Sequence, residues 1–232
     1  MRINADFSLP ALVLAEQQQW VASPQAGVER VMLDRIGVEK ARATSLVRYA
    51  ANSSFPAHEH PAGEEILVLS GHFCADGVCY GPGTYLRNPP GSSHQPYSDD
   101  GTVIFVKLMQ MLETEQATVC IDTSESQLWQ DGPTARFCLL FENPQERVEL
   151  VELPAHGELS LVLPAGAELL VLAGQLTEQS QIWPAAIYPT TEIWPKGLWQ
   201  KNTWARLPAH SQLQLQAGEA GARFYLKTGH LA

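Results

Sequence analysis

Apolar positions in this chain come in strand-length groups. Segments such as RVMLDRI (30–36), ARATSLVRYA (41–50), EEILVLSG (64–71) and TVIFVKLMQM (102–111) run apolar or alternate every second residue, and each is bounded by Gly, Pro, Asn or Asp. A period of two with such boundaries predicts β-strands joined by tight turns. The turn signals Ala75-Asp76-Gly77 and Asp99-Asp100-Gly101 recur at the spacing of an all-β sandwich or barrel. Sustained helical periodicity is missing; only LPALVLAEQQQW (9–20) and SESQLWQ (124–130) suit a helical turn or two.

The pattern repeats. PAGEEILVLSG (61–71) returns as PAGAELLVLAG (164–174), GTYLRNPPGSSH (83–94) as NTWARLPAHSQL (202–213), and GTVIFVK (101–107) as GARFYLK (221–227). Three blocks in one order predict two tandem domains of one fold. The offset grows from 103 to 119 between the first two blocks, so the second half carries an extra loop at 183–200. The expected division is residues 1–115 and 116–232, joined within about 112–127.

The chemistry sits in the first half. His58 and His60 are two residues apart on a strand and present two imidazoles to one face. Pro61-Ala62-Gly63 turns the chain, and Glu64 opens the next strand on the face that carries Ile66 and Val68. His94 ends the run Pro89-Pro90-Gly91-Ser92-Ser93-His94. Three imidazoles and one carboxylate suit zinc, iron, manganese, nickel or copper with positions left for water or a ligand. Proton competition at ordinary imidazoles predicts metal loss as pH falls from about 7 to about 5. The repeat places Leu161, Leu163, Ala167 and Leu213 where the first half has His58, His60, Glu64 and His94, so the second domain is expected to hold no ion. His210 and His230 have no partner at ligand spacing and are expected to be structural or surface residues. Tyr85, Arg87, Tyr97 and His72 lie near the motifs, but the echo of Arg87 in Arg206 and of Tyr85 in Trp204 favours structural roles for those two.

These motifs resemble the cupin superfamily. Its first motif, His-x-His, a short gap, Glu and then Gly, is met by His58, His60, Glu64 and Gly71; its second, Gly with a later Pro-x-Gly and His, by Gly83, Pro89, Gly91 and His94. Where that motif usually ends in asparagine, this chain has Ser98. The wording of residues 28–110 is similar to the ChrR-type cupins, which include the sensor domain of an anti-sigma factor and resemble small-ketone dioxygenases. The resemblance implies two tandem double-stranded β-helix (jelly-roll) barrels with one divalent ion, zinc foremost, in the first. It also implies a small-molecule or oxidant-sensing regulatory protein, or alternatively a metal-dependent dioxygenase acting on a small diketone or phenolic ketone. Sigma-factor binding is not expected, because no cysteine precedes Cys74 and the start of the chain already reads as cupin.

Composition narrows the partners. Fifteen basic against twenty-five acidic residues give −10 with histidine neutral, which argues against a nucleic-acid surface. The N-terminal apolar run is short and broken by Pro10 and Glu16, neither a signal peptide nor a membrane span, so a cytoplasmic protein is expected. A small-molecule ligand and a homodimer fit this picture. Cys74, Cys79, Cys120 and Cys138 form no C-x-x-C pair; Cys74 and Cys79 flank a hairpin turn and are expected as reduced thiols on adjacent strands.

Overall fold

The computed structural model describes all residues except Glu39, residues 183–196 and Ala232, so most of the extra loop of the second half lies outside the described residues. The architecture is all-β, with two short 3-10 turns and no α-helix among the described residues. Among the described residues no helix is long and apolar enough to cross a membrane. The chain forms two compact units, Met1–Ala5 with Gln19–Glu125, and Asp6–Gln18 with Ser126–Ala232.

In the first unit the main sheet runs in the order Arg2–Ile3, Val28–Gly37, Ala41–Tyr49, Thr102–Leu108, Glu64–Gly71, Thr84–Asn88 and Val119–Asp122. Shorter strands complete the jelly roll: Val78–Tyr80, Phe73–Ala75, Pro96–Ser98 and Ser53–Ser54 in one group, Ser92–His94 paired with His58–His60 in another. Alternation decides the interior. Ile66 and Val68, Ile104 and Val106, Leu86 and Val28 meet with Phe73 in one buried cluster. The opposite faces carry Arg87, Glu65 and Lys107, all buried as well.

The second unit repeats the plan. Ala167–Ile182 pairs with Trp204–Leu207 and Ser211–Thr228, as Glu64–Gly71 pairs with Thr84–Asn88 and Thr102–Leu108. The registers correspond: Ala222 stands opposite Gly174 where Thr102 stands opposite Gly71. Gly71 (φ +65°) and Gly174 (φ +67°) need this residue type, because a Cβ on Gly71 would lie 1.9 Å from the Gly101 carbonyl oxygen and one on Gly174 would lie 2.1 Å from that of Gly221. Gly71→Ala is therefore expected to destabilise the first unit by about 2 kcal/mol or more, measured by denaturant unfolding.

Three sequence expectations change. Residues 11–13 form a strand, Ala11–Val13, followed by a 3-10 turn at Ala15–Gln17, and the strand hydrogen-bonds to Trp204–Leu207 of the second unit. Val119–Asp122 likewise extends the first unit by pairing with Thr84–Asn88, so the first unit continues past residue 115 to Glu125. In both cases an otherwise open sheet edge gains backbone partners, and for residues 11–13 this outweighs local helical preference. The third concerns Cys74 and Cys79, which are joined in a disulfide. They are direct cross-strand partners with Cα atoms 4.0 Å apart, so the hairpin register itself brings the two sulfurs together. Cys120 and Cys138 are free thiols.

Candidate metal centre

His58–His60 lies antiparallel to Ser92–His94, with His94 directly opposite His58 and Ser92 opposite His60. The turn after His60 is closed by Gly63 (φ +78°), whose N–H donates to the His60 carbonyl at 3.2 Å. That reversal delivers Glu64 to the first position of the long strand, opposite Leu108 and Asn88. The ligand-capable nitrogens of His58, His60 and His94 all lie within 4.8 Å of one another, the one cluster of its kind among the described residues. His60 Nε2 is 3.1 Å from His94 Nε2, and Glu64 Oε2 is 3.4 Å from the former and 3.5 Å from the latter.

Those separations fit a metal. Ligand atoms bound at about 2.1 Å around one ion stand roughly 3.0–3.4 Å apart in octahedral or tetrahedral arrangements. His58 Nδ1 donates to the Pro56 carbonyl at 2.8 Å, which leaves Nε2 with a free lone pair. Burial and the neighbouring His94 and His58 charges lower His60 to about 3. Burial, then His58, lowers His94 to about 4, with Asp76 opposing. Both imidazoles are thus neutral at pH 7 and present lone pairs. Burial also pushes Glu64 up to about 8, opposed by the hydrogen bond from Asn88. Without a cation this carboxyl keeps its proton in neutral solution; a divalent ion would convert it into a carboxylate ligand.

Asn88 is a residue that the sequence reading missed. Its Nδ2 donates to Glu64 Oε2 at 3.2 Å, orienting the carboxylate. The available signal was its alternation with Leu86, which places it on the interior face beside Glu64. Asn88→Ala is expected to weaken metal binding by about 10–100-fold, read by competition with a calibrated chelator.

The other residues near the motifs take structural places. Arg87 is fully buried and donates to Glu65 at 3.0 Å and to Glu115 at 2.8 Å. Arg206, its counterpart, stacks over the Phe7 ring at 4.1 Å and donates to the Asp6 carbonyl at 2.9 Å. Tyr85 is fully buried, Tyr97 half-buried, and His72 pairs with Asp100 at 2.7 Å on the surface. In the second unit Leu161 stands opposite Leu213, as His58 stands opposite His94. Leu163, Ala167 and Leu213 belong to its apolar core, and Leu161 packs against it. His230 lies 3.4 Å from Glu168, which also accepts a hydrogen bond from Trp204 at 2.7 Å, and His210 occupies a turn.

A cavity of about 240 Å³ opens beside the imidazoles, walled by Val47, Phe55, Ile104 and Val106 with Arg30 and Tyr49 among its polar residues. It is below the usual size for drug-like ligands and suits a small molecule. A larger cavity of about 840 Å³ lies in the second unit, away from this chemistry, and there Arg136 and Arg223 both pair with Glu152.

A jelly-roll unit with a three-histidine cluster on the His-x-His and Pro-x-Gly-x-x-His motifs has the layout of the cupin fold. Residues 9–112 match the ChrR cupin-like domain. The fold is shared with a crystal structure from Nostoc punctiforme PCC 73102 provisionally described as a dioxygenase, at 14% identity and TM-score 0.72 over 96% of this chain and 83% of that one. A Cupin 2 conserved barrel domain protein from Leptotrichia buccalis is 13% identical with TM-score 0.60, covering 98% of this chain and 99% of its own. The 11S allergen from Cocos nucifera is 10% identical with TM-score 0.70, covering 95% and 90%. No curated protein matches by sequence.

Proposed function

We propose that the protein binds one divalent ion, zinc, through His58, His60, Glu64 and His94, and recognises a small molecule there as a sensing or regulatory cytoplasmic protein. The observation that carries this reading is the convergence of Glu64 Oε2 on the two buried Nε2 atoms at 3.4 and 3.5 Å, beside a cavity sized for a small ligand. The ion would supply Lewis acidity toward an oxygen of that molecule. The protein's own residues do the rest: the Pro56 carbonyl sets the His58 tautomer, Asn88 orients Glu64, and the apolar walls exclude water. The Cys74–Cys79 disulfide adds support for oxidant sensing, because its strand carries Phe73, whose ring centroid is 5.9 Å from that of His94.

A second reading, a metal-dependent dioxygenase acting on a small diketone or phenolic ketone, draws support from the same cavity opening directly onto the imidazoles. Elemental analysis of protein purified without added metal separates the two. Zinc at one ion per chain with no oxygen uptake on a diketone panel is the result expected of the sensor. Iron or manganese with substrate-dependent oxygen uptake would establish the enzyme instead. The acidic balance of −10 supports no nucleic-acid partner under either reading.

A further inference from the structure

Arg30 is out of place for a structural arginine. It lies on the strand Val28–Gly37 two residues after Val28, so the two share the face that looks into the first unit. The strand registers put Arg30 opposite Val47, Val47 opposite Ile104, and Ile104 opposite Val68, a row whose other members are all apolar. Its neighbour Glu29 points the other way and pairs with Arg48 on the surface at 2.5 Å. Arg30 thus stands on the interior face and lines the cavity beside the imidazoles.

Nothing among the described residues answers its charge. Arg30 Nε is buried and has no hydrogen-bond partner, and no acid pairs with the guanidinium. Of the acids lining the cavity, Glu64 belongs to the histidine cluster and Glu59 is exposed on the opposite face of its strand. A second arginine lies within electrostatic reach: burial and then Arg30 push Arg35 below the usual arginine range. Lys40 adds a second cation at the exposed rim. The counterpart arginines of the two units have partners of their own: Arg87 is held by two carboxylates, and Arg206 by a carbonyl and an aromatic ring. A buried guanidinium edge left without an acceptor costs stability, and the usual compensation is an anion that arrives with the ligand. A planar fork of N–H donors suits a carboxylate, while Val47, Phe55, Ile104 and Val106 suit an apolar body attached to it.

We propose that the cavity takes a small monocarboxylic acid with an apolar body, its carboxylate held by Arg30 while the body reaches toward the histidine cluster. This names the ligand class for the small-molecule reading above and rests on it. Neutral diketones, which present no anion, are the weaker ligands.

The test uses matched pairs in which an amide replaces the carboxylate at constant shape: acetate and acetamide, butyrate and butyramide, phenylacetate and phenylacetamide. Binding to the full chain is measured by titration calorimetry and ligand-observed NMR, on zinc-loaded and on chelator-stripped protein, with metal content determined for each sample. Wild type is expected to favour at least one carboxylate over its amide by about tenfold or more. Arg30→Met keeps the apolar stem, and it should remove that preference while leaving zinc content unchanged. Arg30→Lys keeps the charge without the fork and should retain part of the preference; a melt of each variant checks folding. A preference that survives in Arg30→Met means the metal alone takes the carboxylate and overturns the proposal, as does the absence of any preference in wild type. If the chain takes up no metal yet the preference still follows Arg30, the metal reading fails and the carboxylate site stands.

Discussion

Changing His58 and His60 together to alanine is expected to take metal content from one ion per chain to none. The two side chains supply half of the four converging donors, and the remaining pair, His94 and Glu64, sit 3.5 Å apart on different strands. Two donors leave an ion largely solvated, and affinity falls by orders of magnitude. Elemental analysis after dialysis reads the result directly. The second unit is the internal control, since Leu161, Leu163, Ala167 and Leu213 offer no donor at the matching positions. A double variant that still retains one ion would place the site elsewhere and overturn the assignment.

Chelation is expected to lower the melting temperature of the first unit by about 10 °C or more and to leave the second nearly unchanged. Binding at about a thousandfold above Kd contributes roughly 4 kcal/mol to the folded state, and a unit of this size loses several degrees per kcal/mol. The chelated protein should also acquire a distinctive pH profile. His60 and His94 fall to about 3 and about 4 when folded, below the ordinary 6.5, so the unfolded chain takes up protons first. Their contribution is complete above about pH 6.5 and is lost as pH falls toward those lower values. Glu64 runs the other way: raised from 4.5 to about 8, it stays protonated in the folded unit, and its contribution is lost as pH rises from 4.5 to about 8. Two histidines outweigh one glutamate below pH 6.5, and only Glu64 acts above it. The chelated first unit should therefore be most stable near pH 6.5, and the metal-loaded unit should show no loss between pH 6.5 and 8. Melts across this range, with fragments of each unit assigned by limited proteolysis, check both statements. A chelated melt identical to the loaded one would mean that the ion is labile and not coupled to folding.

The pH profile also shows where reading residues one at a time stops. Three histidines of ordinary pKa predict proton competition at the imidazoles between about pH 7 and about 5. Burial changes the competitor, because His60 and His94 are already neutral and the proton to be displaced is on Glu64. No spacing along the chain reports how deeply a side chain is buried. Asn88 and Arg30 escaped for a related reason: each matters through a partner or cavity on strands distant in sequence, and neither stands in a recognisable motif.

What the sequence determined by itself is local. Strand alternation placed His58 and His60 on one face, the Pro-Ala-Gly turn brought Glu64 in after them, and the repeated blocks announced two units with one plan, because a period of two and a turn are properties of a few consecutive residues. What only the tertiary structure decided is pairing between distant segments. It set Ala11–Val13 on the edge of the second unit and Val119–Asp122 on the edge of the first, where open backbone groups needed partners. It gathered Arg30, Val47, Ile104 and Val68 into one interior row. Register across a sheet is settled by the hydrogen bonds and packing of all its strands together, so the charge that faces the cavity becomes visible only when the strands are assembled.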